Sequence, residues 1–185
     1  MLKQKIAKRI MQLMKWNVEI NVDIPLPNKC VICVAPHTSN WDFILCELAL
    51  KASGLHSGFL MKETWFFFPL GYVFRVMGGI AVPRKKGSDL TKSIIEAGNK
   101  SKSFVIALTP EGTRSYNERW RKGFLHIAYG MDIPILLCYL DFKNKVVCLD
   151  REFKYSGNID DDLKQVKLYY KDIPAKYPEK FGTGL

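Results

Sequence analysis

The sequence predicts an α/β fold: a mostly parallel central sheet covered by helices, with an amphipathic helix at the N-terminus. Three observations predict it. Short apolar runs rich in Val, Ile, Leu and Cys recur along the chain, as in strands buried on both faces. Segments of helical hydrophobic spacing alternate with them, the order of βαβ units. Two polar islands, His37-Thr38-Ser39-Asn40-Trp41-Asp42 and Pro110-Glu111-Gly112-Thr113-Arg114-Ser115, each directly follow an apolar run. Loops just past strand ends are where open α/β sheets build their sites.

The elements follow in order. Over residues 2–15, Leu2, Ile6, Ile10, Leu13 and Met14 share one helical face, and Lys5, Lys8, Arg9 and Lys15 lie opposite. Five basic residues precede the first acid, Glu19, and Trp16 closes the segment. This is the composition of a helix lying on an anionic membrane, although a helix docked on its own domain shares the pattern. Residues 1–20 are therefore read as a membrane-association helix and residues 21–185 as one domain, long enough to bury a real core. Prolines 25 and 27 mark a turn. A buried strand is expected over 30–35 and a helix over 41–52, with Ser39 or Asn40 as N-cap and Gly54 past its end. Strands follow at 58–61 and 79–82, the latter ended by Pro83. A helix capped by Ser88 spans 88–97, a strand 104–109, and a helix stopped by Gly130 spans 123–129. Strands at 133–140 and 146–153 are joined by Lys143-Asn144-Lys145. A last helix spans 160–171, its acids at the N-terminal end where the dipole favours them.

Bulk composition narrows the partners. The net charge of +10 favours an anionic one: membrane surface, nucleic acid or a phosphorylated substrate. Hydrophobic content of 48% excludes a disordered chain. The five cysteines are an odd number scattered through apolar runs, which reads as a reduced interior and a cytosolic setting. No apolar stretch is long enough to span a bilayer, and the N-terminus does not read as a signal peptide.

The islands carry the chemistry. Asp42 can reach His37 only if the chain turns between them, which Thr38-Ser39-Asn40 permits. A carboxylate beside the imidazole fixes its tautomer and makes His37 a competent general base. Taken alone, the same spacing fits a helix cap beside a loop histidine. In the second island, glycine permits a turn that presents Arg114, whose planar fork suits phosphate. Glu111 could hold Arg114 or an acceptor hydroxyl. Lys62 and Arg84, each near a strand end, are further phosphate candidates, whereas Lys85 and Lys86 read as a solvated loop. The aromatic segment 65–74 suits core, an acyl-chain groove or a face dipping into lipid. Cys30-Val31-Ile32-Cys33 has redox spacing, but a strand would separate the thiols. Adding His37 still leaves a zinc site one ligand short. His56 and His126 lack an acid at informative spacing. No serine-hydrolase elbow and no Walker-type loop occur.

These residues resemble the glycerol-phosphate acyltransferase superfamily, most nearly its 1-acyl-glycerol-3-phosphate (lysophosphatidic acid) acyltransferases. The first island is similar to the family's His-x4-Asp motif. Gly78-Gly79-Ile80-Ala81-Val82-Pro83-Arg84 is similar to its second motif, the second island to its third, and Ile133-Pro134-Ile135-Leu136 to its fourth. The resemblance covers about residues 30–140. It implies that His37, oriented by Asp42, deprotonates the hydroxyl of a lysophospholipid. The alkoxide then attacks the thioester of acyl-CoA or acyl-carrier protein without an acyl-enzyme. Lys62, Arg84, Glu111, Gly112, Thr113 and Arg114 are the implied substrate-binding positions. The oxyanion donors stay unassigned, with backbone N–H groups near the helix after His37 as a sensible source. No metal or cofactor is expected beyond the donor substrate. The implied setting is peripheral, on the cytoplasmic face of a membrane, with no nucleic-acid partner. Pro83 and Leu137 depart from the family pattern and leave the acceptor open. A lyso-ornithine lipid or lipid A precursor stays possible as acceptor, as does a non-catalytic basic binding module.

Overall fold

The computed structural model describes residues 2–76, 78–82 and 90–185, with side chains at all of these except 60–62 and 82. Along the chain run α1 (Leu2–Leu13), β1 (Asn17–Ile20), β2 (Lys29–Ala35), α2 (Asn40–Ala52), β3 (Gly58–Lys62), a short 3-10 turn (Glu63–Trp65), α3 (Leu70–Val76) and β4 (Gly79–Val82). Then follow α4 (Leu90–Lys100), β5 (Phe104–Leu108), α5 (Gly123–Met131), β6 (Ile135–Asp141), β7 (Val146–Phe153) and α6 (Ile159–Tyr170). The strands form one sheet in the order β1-β7-β6-β2-β5-β3-β4. Every neighbouring pair is parallel except β6 with β7. The α/β expectation therefore holds.

Each face of the sheet has its own core. Alternation along β2 sends Cys30, Ile32 and Val34 to the face covered by α1 and α2, and Val31, Cys33 and Ala35 to the face covered by α4, α5 and α6. Cys30 and Cys33 are thus parted by the sheet, and all five cysteines are free and buried. The same division positions the site. β2 and β5 lie side by side, Cys33 opposite Leu108. The helix after β2 covers one face and the helix after β5 covers the other, so the ends of these two strands flank a crevice at the topological switch point.

The structure departs from the sequence reading in several places. Residues 17–20, grouped with the N-terminal helix above, form β1 and pair with β7. α1 docks on α2 through Ala7 and Met11, which are buried with the core, while Leu2, Ile6 and Leu13 stay exposed. α5 runs through Gly130 to Met131 and ends where Asp132 turns left-handed. A Cβ at Gly130 would stand 2.6 Å from Ile95, and one at Gly98 would stand 2.5 Å from Met131. These glycines let α4 and α5 approach closely; neither stops its helix. α6 begins a residue early, its cap being Asn158, whose Oδ1 accepts the Asp160 N–H at 3.0 Å. α3 was not anticipated. It opens where Pro69 supplies a first-turn carbonyl, accepting the Tyr72 N–H at 3.1 Å.

Candidate active site

The two islands meet at the ends of β2 and β5. Ser39 is the N-cap of α2 and Asp42 its third helical residue. The Asp42 carboxylate is 1% exposed. Its Oδ2 accepts the backbone N–H of Thr38 and of Ser39, each at 2.6 Å, and its Oδ1 accepts the Ser39 hydroxyl at 2.7 Å. This is the return half of a capping box, and it folds the chain back so that Asp42 reaches His37. His37 Nδ1 lies 3.4 Å from Asp42 Oδ2, with 18% of the His37 side chain exposed. That separation is an ion-pair distance, longer than a good hydrogen bond, and Nδ1 has no hydrogen-bond partner in this state. Asp42 therefore serves both the helix and the imidazole.

Glu111 holds the same loop from the other side. Its Oε1 accepts the His37 N–H at 2.7 Å. The residue is 4% exposed, and its second oxygen is buried without a partner. Burial pushes its carboxyl up to about 7, with the hydrogen bonds it accepts and the His37 imidazole opposing the rise. Glu111 therefore does not hold Arg114, as one sequence reading had it. Its burial makes it a brace for the His37 loop, because a carboxylate with so little surface has almost none to offer a substrate. Arg114 reaches instead to Asn40, donating to its side-chain carbonyl, and is itself exposed.

Gly112 takes φ +65, and a Cβ there would meet the Arg121 Nε at 2.9 Å. The left-handed backbone there favours glycine. The Thr113 hydroxyl accepts the Ser115 N–H at 3.3 Å. The side chain of Lys62 and all of Arg84, Lys85 and Lys86 lie outside the described residues.

Sequence reasoning missed three contributors. Asn40 pins Arg114. Asn117 donates to the Glu111 carbonyl at 2.8 Å and so fixes the second loop. Thr38 accepts the Tyr177 N–H at 3.3 Å, tying the first loop to the C-terminal segment. Asn40 was legible in principle, since it lies inside the first island. Nothing in the sequence marks Asn117 or Tyr177, whose partners are set by tertiary contact.

The loop also accounts for its own N–H groups. Those of His37, Thr38 and Ser39 are all committed to Glu111 or Asp42. The oxyanion donors expected near this helix are therefore not found at residues 37–39.

Residues 16–141 match the acyltransferase family. No curated protein sequence matches the chain. Three solved chains match its structure. One is the crystal structure of the 1-acyl-sn-glycerophosphate (LPA) acyltransferase, PlsC, from Thermotoga maritima. It is 19% identical, with a TM-score of 0.62 over 94% of this chain and 79% of that one. At that identity the likeness is one of fold.

Proposed function

The chain belongs to the acyltransferase family, and from that membership we propose that it moves a fatty acyl group from a thioester donor to the hydroxyl of a lysophospholipid. The favoured acceptor is 1-acyl-glycerol-3-phosphate, the substrate class in the name of the PlsC neighbour. One observation carries the reading: two loops 74 residues apart in sequence are joined through the His37 N–H and the Glu111 carboxyl at the crevice between β2 and β5.

His37 acts as general base. Asp42 keeps the proton on Nδ1, so Nε2 takes the proton of the acceptor hydroxyl as the 3.4 Å gap to Asp42 shortens in the reacting complex. The acceptor oxygen forms its new bond to the thioester carbonyl carbon. The tetrahedral intermediate then breaks its C–S bond, and the imidazolium returns the proton to the thiolate. Charge on the intermediate's oxygen is met by the next donors along the chain, the first-turn N–H groups of α2 at Asn40 and Trp41, which have no acceptor among the described residues. Arg114, steadied by Asn40, binds the acceptor phosphate.

Two exposed apolar surfaces support a reaction at a membrane. Leu2, Ile6 and Leu13 are exposed on α1 among Lys3, Lys5 and Arg9. Trp65, Phe67, Phe68 and Tyr72 are exposed beyond β3, with Phe68 91% accessible. Leu2 and Val76 line one cavity, so the two apolar surfaces adjoin. Such a surface rimmed by basic residues suits an anionic bilayer.

A radiolabelled acyl donor offered to a panel of lysolipids tests the reading. Product from 1-acyl-glycerol-3-phosphate, abolished in His37→Ala with an unchanged melting temperature, supports it. Product only from a lyso-ornithine lipid or lipid A precursor reassigns the acceptor, and turnover retained in His37→Ala removes the base.

A further inference from the structure

We propose that the cleft between α4 and α5 binds the phosphate groups of the acyl donor; this rests on the transfer reaction proposed above. The cleft has a volume of about 880 Å³, within the ~300–1,000 Å³ typical of ligand pockets. It opens at the end of β5. Thr109 and Pro110 line it, and the next residue, Glu111, holds the His37 N–H. The cleft is thus one residue from the brace of the catalytic loop.

Its charge is one-signed. Arg119, Arg121, Lys122 and His126 stand on the described walls, and no acidic residue does. Lys122 is neutralised by Asp160. Arg119 and Arg121 have no carboxylate within ion-pair distance among the described residues. Two arginines on the walls of one cleft give it a positive potential, and their planar forks suit phosphate oxygens.

The loop that presents them is braced before any ligand arrives. Asn117 donates to the carbonyls of Glu111 and Arg119, at 2.8 and 3.1 Å, and accepts the Arg119 N–H at 3.0 Å. Trp120 is buried and donates its indole N–H to the Gly182 carbonyl at 2.9 Å. Arg121 donates its backbone N–H to Pro110 at 2.6 Å and lays its side chain against Gly112. Little ordering remains to be done on binding.

Acyl transfer also needs a second anion site. Both substrates carry phosphate, on the acceptor headgroup and on the pantetheine arm of the donor, to which CoA adds the 5′- and 3′-phosphates of its adenosine. Arg114 is tied to Asn40 at the start of α2, whereas the cleft lies between α4 and α5. The two anion sites then serve different substrates, and both substrates meet at His37.

The test is Arg119→Ala, because the Arg119 backbone, not its side chain, braces the loop. Calorimetry measures CoA, dephospho-CoA and 4′-phosphopantetheine binding to the full chain, and kinetics measure both substrates. One lost guanidinium–phosphate contact predicts a roughly tenfold rise in CoA Kd and acyl-CoA KM, with the acceptor KM unchanged. A loss confined to CoA assigns the 3′-phosphate; a loss shared by all three ligands assigns the phosphate beside the pantetheine. If the wild type uses only acyl-carrier protein, the same rise in its KM supports the cleft. Unchanged donor constants, or a rise in acceptor KM instead, overturn the proposal. A wild type that binds CoA through Arg119 yet acylates no lysolipid sinks the acceptor assignment and leaves the cleft standing.

Discussion

Replacing Glu111 with glutamine should stabilise the protein at and above neutral pH and remove one component of its pH dependence. The native carboxyl sits near 7 against 4.5 for the free group, chiefly because burial takes it out of water. The folded state therefore holds this proton more tightly than the unfolded chain. Below pH 4.5 both states are protonated and the group is neutral to stability. As pH rises, the unfolded chain ionises first, and stability falls until the native group also ionises near 7. A difference of that size is worth roughly 3 kcal/mol. Glutamine keeps an oxygen to accept the His37 N–H and does not titrate. Urea unfolding at half-unit steps from pH 4.5 to 8 reads the effect. The stability advantage of Glu111→Gln over wild type should grow by about 3 kcal/mol across that window and then level off. Parallel curves would refute the account, because they would mean the buried carboxyl titrates as an exposed one. Glu111→Ala should lose more activity than Glu111→Gln, since only alanine leaves the His37 N–H without an acceptor.

Three further outcomes are expected. Asp42→Ala should cost about 3 kcal/mol in urea unfolding, having stranded the buried N–H groups of Thr38 and Ser39, and should also abolish transfer. Arg114→Ala, at an exposed position, should leave the melting temperature unchanged and raise the acceptor KM about tenfold with the donor KM unmoved; an equal rise in both would refute phosphate binding there. The triple change Leu2→Gln, Ile6→Gln, Leu13→Gln should weaken sedimentation with anionic liposomes roughly tenfold, most visibly at low salt, with stability kept. Deleting the helix would not test this, because Ala7 and Met11 would leave the core with it.

The strand-loop-helix order and the chemistry of both islands were legible, because buried parallel strands write themselves as apolar runs and their polar loops stand out against them. What the loops do to each other was not. Glu111 and Arg114 are near neighbours in sequence, and pairing them is the natural local guess. The fold instead sends them to different partners, one to a backbone N–H and one to an amide, both on the first island. Only the adjacency of β2 and β5 makes that choice, and strand order is absent from local sequence.

The same limit explains α1. Its apolar face is so wide that two narrower faces are hidden in it. Hydrophobicity alone favours Leu2, Ile6 and Leu13 as the buried set, yet the structure buries Ala7 and Met11. Contact with α2 is close: the Gln4 amide donates to the Ala52 carbonyl at 3.2 Å, and the ideal Cβ position at Gly54 lies 3.1 Å from Gln4. At that separation a small residue and an unbranched one fit where Leu or Ile would overpack. Shape assigned the docked face, and the larger side chains were left outside. Leaving three large aliphatic residues in water has a free-energy cost that no contact among the described residues recovers, and the bilayer docking proposed above would offset it.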